Sequence, residues 1–145
     1  MADADLPTVP YIRSFVINGV VVNILVDTGA FDTLISISTL DKTYGVGNWR
    51  DKISRKDCAR MKFSLADGSK ASGPIGRIEL PMEIQGRIVT VSAWVLATLN
   101  VDMIIGARTF DNLGAVIDFP NRCVHFRNIS NIDPVTFVLR RSRTP

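Results

Sequence analysis

The chain has 145 residues, of which 46% are hydrophobic and 21% are charged, and its formal net charge is +3. These values predict one soluble globular domain with a substantial core. No apolar stretch approaches the roughly 20 residues of a membrane span, and the start Met-Ala-Asp-Ala-Asp lacks the basic and apolar regions of a secretory signal. We therefore expect a cytoplasmic protein with no membrane contact, and the mild, dispersed charge predicts no nucleic-acid partner.

Short strands separated by turns dominate the first two thirds of the chain. Asn18-Gly19 and Gln85-Gly86 are strong hairpin turn signals because both positions of such turns require positive φ. A third turn is predicted in the polar segment 66–73, and the charged segment 42–60 is expected at the surface. The predicted strand pairs are 11–17 with 20–26, 61–65 with 75–80, and 82–84 with 87–96.

The last third of the chain alternates strands with one short helix. The apolar run 101–106 ends at Gly106, and residues 107–113 are expected to form a helix that Gly114 ends as a C-terminal cap. Strands are predicted at 115–119 and 123–126 around a turn at 120–122, and residues 136–139 are a further candidate strand.

Asp27 follows the apolar, β-branched run 20–26, which predicts a strand covered on both faces. Thr28 offers a hydroxyl for a neighbouring backbone group, and Gly29 lets the main chain bend sharply. A carboxylate at such a place is costly unless chemistry requires it. The alternative is a simple Asx-turn that caps the strand end, and the triplet alone does not decide between the two.

Few residues suggest other catalytic or metal chemistry. Cys58 and Cys123 can form at most one disulfide, and they lack the spacing of a metal site. The single histidine, His125, lies in a predicted strand, where a structural role is the commoner one. We therefore predict no metal site and no cofactor.

Three motifs in order resemble one family. They are Val26-Asp27-Thr28-Gly29-Ala30, the glycine-bearing hairpin tip at 66–73, and Asp102-Met103-Ile104-Ile105-Gly106 with the later run 114–119. Together they resemble the retropepsin-like aspartic proteases of retroviruses and long-terminal-repeat retrotransposons of the gypsy type, over residues 11–127. The resemblance implies an all-β fold, a closed barrel of short antiparallel hairpins with one short C-terminal helix, completed by homodimerisation. It divides the chain into a flexible segment 1–10, a protease domain 11–127 and an extension 128–145, which would be an extra strand or a polyprotein linker.

The resemblance also implies the chemistry. Aspartic proteases use two carboxylates that share one proton, and this chain has one Asp-Thr-Gly, so Asp27 would be catalytic only with Asp27 of a second copy. Thr28 would bond across the dyad, and the Gly29 carbonyl would contact the substrate backbone. Ala30 stands where pepsin-like members often carry a serine that stabilises the ionised carboxylate, so we predict a mildly acidic pH optimum.

Substrate contacts are implied at two loops and one strand. Phe31 and Asp32 follow the catalytic triplet, and Phe31 replaces an acid that retroviral members often carry. The expected ion pair with an arginine after Gly106 is in doubt, because Ala107 stands there and Arg108 follows. A flap over the bound peptide is implied at Ala66, Asp67, Gly68 and Ser69, and candidate pocket walls are Val95, Leu96, Leu99, Val101 and Ile105.

The substrate and the parent protein stay open. A Gag-Pol-type polyprotein in the cytoplasm or in virus-like particles is the preferred substrate. One alternative is a non-proteolytic dimerisation or peptide-binding module of the same fold, and another is the protease domain of a ubiquitin-linked shuttle protein. An aspartyl-phosphate phosphotransferase is disfavoured, because its second acid is absent at position 29 and hairpins dominate the chain.

Overall fold

The computed structural model describes residues 8–56, 63–64, 70–71 and 73–141. Within them, no helix is long and apolar enough to cross a membrane. A 3₁₀ turn spans Arg50–Lys52, and the two α-helices are α1 (Ile37–Tyr44) and α2 (Ala107–Leu113). The strands are β1 (Thr8–Ile17), β2 (Val20–Val26), β3 (Leu34–Ser36), β4 (Phe63–Ser64), β5 (Lys70–Ala71), β6 (Gly76–Ile84), β7 (Arg87–Leu96), β8 (Met103–Ile105), β9 (Ala115–Asp118), β10 (Cys123–Phe126), β11 (Val135–Thr136) and β12 (Val138–Arg141).

Six of the strands close into a barrel. Their order is β1-β2-β8-β3-β7-β6, and β6 returns to β1 through the pair Glu83 and Val16. The predicted all-β class and closed barrel are confirmed. Two neighbouring pairs are parallel rather than antiparallel, namely β2 with β8 and β3 with β7. Helix α2 is the predicted C-terminal helix, and α1 is an additional one.

Two of the predicted hairpin turns form as expected. Asn18 and Gly19 have φ values of 48° and 78°, and Gln85 and Gly86 have values of 49° and 81°. Positive φ at both central positions matches the twist of the flanking strands, so each turn sets the register of its hairpin. β1 pairs with β2, and β6 pairs with β7, across these turns.

The remaining hairpin is paired differently from the prediction. The sequence analysis paired 61–65 with 75–80, whereas β4 pairs with β5 and β6 pairs with β7. β6 continues through Pro81 because buried and exposed positions alternate along its whole length and the proline lies at an exposed one. The prediction that 75–80 pairs with 61–65 is therefore wrong, because residues 76–80 pair with β7.

Helix α1, of about two turns, packs against the barrel. The Ser36 side chain caps its start by accepting a hydrogen bond from the Thr39 N–H at 3.1 Å. The helix ends at Gly45, whose φ of 94° is in the region that favours glycine. Thr39 and Leu40 are buried, and so is Thr43, although Thr43 lies in the segment 42–60 that was expected at the surface.

Trp49 is the clearest exception to that expectation. Its side chain is fully buried, and its indole N–H donates to Asp41 Oδ1 at 2.7 Å. The Gly47 N–H donates to the same oxygen at 2.9 Å. These two hydrogen bonds, first that of Gly47 and then that of Trp49, hold the pKa of Asp41 below its ordinary value of 3.8. The loop after α1 is thus folded back into the core around one carboxylate.

A second, three-stranded sheet follows α2 in the order β11-β10-β9. Phe126 of this sheet stacks on Phe110 of α2 with ring centroids 6.1 Å apart, which joins the sheet to the barrel core. The last strand, β12, returns to pair antiparallel with β1, from Thr8 opposite Arg141 to Tyr11 opposite Val138. Strands thus occupy parts of the extension 128–145, whereas the three-way division of the chain stays a prediction.

Candidate active site

Asp27 directly follows the C-terminal end of strand β2. Its backbone N–H donates to the Ile105 carbonyl at 3.0 Å, which prolongs the parallel pairing of β2 and β8 by one residue. The Gly29 N–H donates to Asp27 Oδ1 at 3.1 Å, and the Ala30 N–H donates to the Asp27 carbonyl at 3.1 Å. The turn therefore holds the carboxylate, and this local contact fits both interpretations of the loop, the functional one and the Asx-turn. Asp27 is half-buried, whereas Thr28 and Gly29 are exposed.

The loop after Asp27 is fastened to the start of helix α2. The Ala107 N–H donates to the Ala30 carbonyl at 2.8 Å, and the Arg108 N–H donates to the Phe31 carbonyl at 3.1 Å. These two donors are first-turn N–H groups of α2, which lack partners inside the helix. Backbone hydrogen bonds thus join the loop after Gly29 to the segment after Gly106, although the bonded residues are more than 70 positions apart in the sequence.

Gly106 makes this junction possible. A Cβ atom at this position would lie 2.5 Å from the Asp32 carbonyl oxygen and 2.8 Å from the Phe31 carbonyl carbon. Both are backbone atoms, which cannot move aside as a flexible side chain would. The close approach of the two segments therefore requires the absence of a side chain at Gly106.

A buried pair of hydroxyl groups supports the same junction. Thr33 Oγ1 accepts a hydrogen bond from the Gly106 N–H at 3.2 Å and lies 2.6 Å from Thr109 Oγ1. Both threonines are buried, with exposed fractions of 2% and 8%. No sequence motif indicates these two residues. Their only signal was a hydroxyl residue six positions after Asp27 and another three after Gly106, and neither has meaning without the pairing of the two segments.

Phe31, Asp32 and Arg108 form a small polar and aromatic group beside the loop. The Arg108 guanidinium lies 4.3 Å from the centre of the Phe31 ring, and its Nε lies 3.9 Å from Asp32 Oδ1. The structure therefore brings Arg108 to Asp32 although it stands one place later than the family pattern. Phe31 is 59% exposed, so its ring is available to a ligand.

The implied pocket walls separate into two sets. Val95 and Ile105 are fully buried in the barrel core and do not reach the surface of the protomer. Leu96 packs outside the barrel with Leu34 and Trp94, and Leu99 and Ile104 lie partly exposed against them. Side chains alternate along a strand, so Ile104 and not Ile105 faces outward from β8. Val101 is partly exposed.

The implied flap residues Ala66, Asp67, Gly68 and Ser69 lie outside the residues that the structure describes. The backbone on either side of them is described. Phe63 pairs with Ala71 and Ser64 pairs with Lys70 in an antiparallel register. The two short strands are therefore the arms of a hairpin, as the flap interpretation requires.

A sequence model of the family described as aspartyl protease matches residues 14–109. This span includes the Asp27 loop, the β4–β5 and β6–β7 hairpins and the Gly106 junction. The chain belongs to the aspartyl protease family. No curated protein sequence matches this aspartyl protease chain.

Solved structures show the same fold. The retroviral protease-like domain of Ddi1 from Leishmania major is 24% identical, with a TM-score of 0.70 over 91% of this chain and 95% of that chain. A retropepsin-like aspartic protease from Rickettsia conorii is 18% identical, with a TM-score of 0.50 over 77% of this chain and 83% of that chain. The resemblance to retropepsin-like aspartic proteases is thereby confirmed, and with it the retropepsin-like fold of this aspartyl protease.

Proposed function

We propose that the protein is an aspartic endopeptidase whose active site is formed by two copies of Asp27, one from each protomer of a symmetric homodimer. The observation that carries this proposal is the Asp27 loop, where a half-buried carboxylate is held by the Gly29 N–H and anchored to Ile105 and Ala107. The chain carries one Asp-Thr-Gly, so one protomer supplies half of a carboxylate dyad. The exposed Thr28 and Gly29 lie where the second protomer would meet it.

In the proposed dimer the two carboxylates share one proton and act on one water molecule. The ionised carboxylate takes a proton from the water as it attacks the scissile carbonyl carbon, and the protonated one donates to the developing oxyanion. The carboxylate that took the water proton then donates it to the leaving amine as the peptide C–N bond breaks, and the other carboxylate recovers its proton from a hydroxyl of the diol, which becomes the product carboxyl group. The Thr28 hydroxyl would form a hydrogen bond to the same loop of the partner protomer. The Ala30 carbonyl would support the turn by accepting the hydrogen bond from the Ala107 N–H.

The substrate contacts are proposed from the side chains around the loop. Phe31 and Asp32 would contact the peptide on one side, and Val101 would contact it on another. Ile104 takes the place that we had assigned to Ile105, because the Ile105 side chain is fully buried in the core. Ala66, Asp67, Gly68 and Ser69 would close over the peptide and exclude water.

We propose a Gag-Pol-type polyprotein as the natural substrate, because Leu65-Ala66-Asp67-Gly68 and residues 114–119 resemble retrotransposon polyproteins most closely. A protease domain within a ubiquitin-linked shuttle protein is the second candidate. The fold likeness to the retroviral protease-like domain of Ddi1 fits that second candidate.

Digestion of a diverse peptide mixture tests the reaction. Cleavage across a range of pH, blocked by pepstatin and abolished by Asp27→Asn, is the expected result. Asp111→Asn is the matched control, because Asp111 is an exposed aspartate on α2. Binding of peptides without cleavage by the wild-type chain would instead support the non-proteolytic alternative.

Mixing wild-type protein with an equal amount of Asp27→Asn tests the shared site. Random exchange of protomers leaves about one quarter of the dimers with two Asp27 residues, so activity per total protein should fall to about one quarter. Mixing with Asp111→Asn should leave the activity unchanged. A fall to about one half with Asp27→Asn would show that each chain acts alone.

A further inference from the structure

Three side chains with metal-binding atoms meet on one face of the β9–β10 hairpin. Asp118 of β9 is directly opposite Cys123 of β10, and His125 lies two residues further along β10 on the same face. The Cys123 Sγ atom lies 3.6 Å from His125 Nε2, and His125 Nε2 lies 3.8 Å from Asp118 Oδ2. All three ligand atoms lie within 4.8 Å of one another.

Two of these distances, sulfur to nitrogen and nitrogen to oxygen, are close to those of a tetrahedral zinc site. With Zn–S of about 2.3 Å, Zn–N and Zn–O of about 2.1 Å and tetrahedral angles, the sulfur and nitrogen atoms are about 3.6 Å apart and the nitrogen and oxygen atoms about 3.4 Å apart. The sulfur–nitrogen distance of 3.6 Å already has this value. The nitrogen–oxygen distance of 3.8 Å is a few tenths of an ångström too long, and the sulfur and oxygen atoms, which lie within 4.8 Å of each other, must be about 3.6 Å apart in such a site. Binding would therefore need a rotation of the exposed imidazole and a shift of the partly exposed Asp118 carboxylate toward Cys123.

The carboxylate is already oriented by hydrogen bonds from the hairpin turn. The Asn121 N–H donates to Asp118 Oδ1 at 3.1 Å, and the Asn121 side-chain amide donates to Asp118 Oδ2 at 2.8 Å. Outer hydrogen bonds of this kind commonly fix the ligands of metal sites. The side chains of Asp118 and His125 are 24% and 47% exposed, so an ion can reach the group from solvent.

We propose that Asp118, Cys123 and His125 bind one Zn²⁺ ion on the β9–β10 hairpin. Sulfur, imidazole nitrogen and carboxylate oxygen together suit Zn²⁺, whereas Mg²⁺ and Ca²⁺ prefer oxygen ligands alone. Three protein ligands leave the fourth position to water. The site lies on the three-stranded sheet, whereas Asp27 follows barrel strand β2, so the two proposed sites share no residue.

The sequence analysis predicted no metal site, because it considered the spacing of the two cysteines. The ligands come instead from three different residue types, at positions 118, 123 and 125. They meet only because the register places Cys123 opposite Asp118. A hairpin shifted by one residue would place Asp118 and Cys123 on opposite faces.

Titration of the metal-free full-length chain with Co²⁺, a spectroscopic substitute for Zn²⁺, tests the site. We expect one equivalent to bind with thiolate-to-cobalt charge-transfer absorption and the intense visible bands of tetrahedral cobalt, and Zn²⁺ to displace it. Cys123→Ser should remove the charge-transfer band and weaken binding at least about 100-fold. Cys58→Ser is the matched control and should keep both. A band that survives Cys123→Ser, or is lost in Cys58→Ser, would overturn the proposal.

Two more variants cover the case in which Cys123→Ser does not fold, since Cys123 is 8% exposed. His125→Gln changes an exposed side chain and should also weaken cobalt binding at least about 100-fold, while Asn121→Ala should weaken it about tenfold through Asp118. Zn²⁺ should raise the unfolding temperature of the wild type but not of His125→Gln. Equal cobalt affinities for the wild type and His125→Gln, or displacement by Mg²⁺ as readily as by Zn²⁺, would contradict the site.

Discussion

Gly106→Ala should separate the Asp27 loop from helix α2. The added Cβ would lie 2.5 Å from the Asp32 carbonyl oxygen and 2.7 Å from its carbonyl carbon, so the backbone must shift by about 1 Å to restore ordinary contact. Overpacking of this kind costs about 1–3 kcal/mol. Three hydrogen bonds cross the junction, from the N–H groups of Gly106, Ala107 and Arg108, and weakening them costs roughly 0.5–1.5 kcal/mol each.

The expected loss of stability is therefore about 2.5–7.5 kcal/mol. For a chain of 145 residues the unfolding entropy implies a shift of about 3 °C per kcal/mol, so the midpoint should fall by about 8–23 °C. Peptide cleavage measured well below that midpoint should fall at least about 100-fold, because a displacement of about 1 Å at the reacting groups is enough for such a loss.

Gly86→Ala separates the two effects. Gly86 has a φ of 81° with no atom within 4 Å of a Cβ, so alanine there strains a remote turn without touching the loop. It should lower the unfolding midpoint by a few degrees and leave cleavage within about twofold. The reasoning would be refuted by a Gly106→Ala protein that cleaves at the wild-type rate, or by a Gly86→Ala protein that loses activity to the same extent.

Three further outcomes follow from other contacts. Thr33→Val should destabilise the protein by about 2–4 kcal/mol and lower cleavage, because it leaves the buried Gly106 N–H without its hydrogen-bond acceptor. Thr109→Val removes only the hydrogen bond between the two hydroxyl groups and should cost about 1–2 kcal/mol. Equal losses of stability in urea unfolding would contradict this order. The pKa of Asp41 is lowered in the folded state, so its carboxylate stabilises the fold at pH values above the ordinary pKa of 3.8, and this stabilisation is lost as the pH falls through the folded pKa. Asp41→Asn should therefore be less stable than the wild type at pH 7, and the difference should shrink at lower pH. A difference in stability that is the same at every pH would refute this prediction. Ala30→Ser should move the pH optimum of cleavage downward from the mildly acidic range, and a wild-type optimum well below pH 4 would contradict the role given to Ala30.

Local sequence signals predict the turns and the helix end at positions where the backbone conformation favours one residue type. Asn18-Gly19 and Gln85-Gly86 predicted both hairpin turns, and Gly114, with its φ of 64°, ended helix α2 where expected. Helix α1 had no predicted bounds although Ser36 and Gly45 bound it, because its eight residues follow β3 without an intervening turn. Trp49 was missed because its burial depends on Asp41 accepting the indole N–H, which no periodicity records.

The sequence predicts the Asp27 loop of the candidate site, whereas it does not predict the residues that hold this loop in place. Asp27, Thr28 and Gly29 are adjacent in sequence, so their local chemistry could be argued without a fold. Thr33 and Thr109 are 76 residues apart and meet only because β8 runs beside both β2 and β3. The outward orientation of Ile104 depends in the same way on which face of β8 the barrel encloses, and a motif alone does not specify that face.

The antiparallel pairing of β12 with β1 also determines how the domain would respond to tension along its chain. Thr8 is opposite Arg141, so the two ends of the described fold leave side by side from the same end of a two-stranded ribbon. A force pulling these ends apart would load the Thr8–Arg141 pair first and then each following pair in turn. The strands would therefore unzip one pair at a time rather than slide past each other under a shared load, and β12 would detach while the six barrel strands kept their pairing with one another.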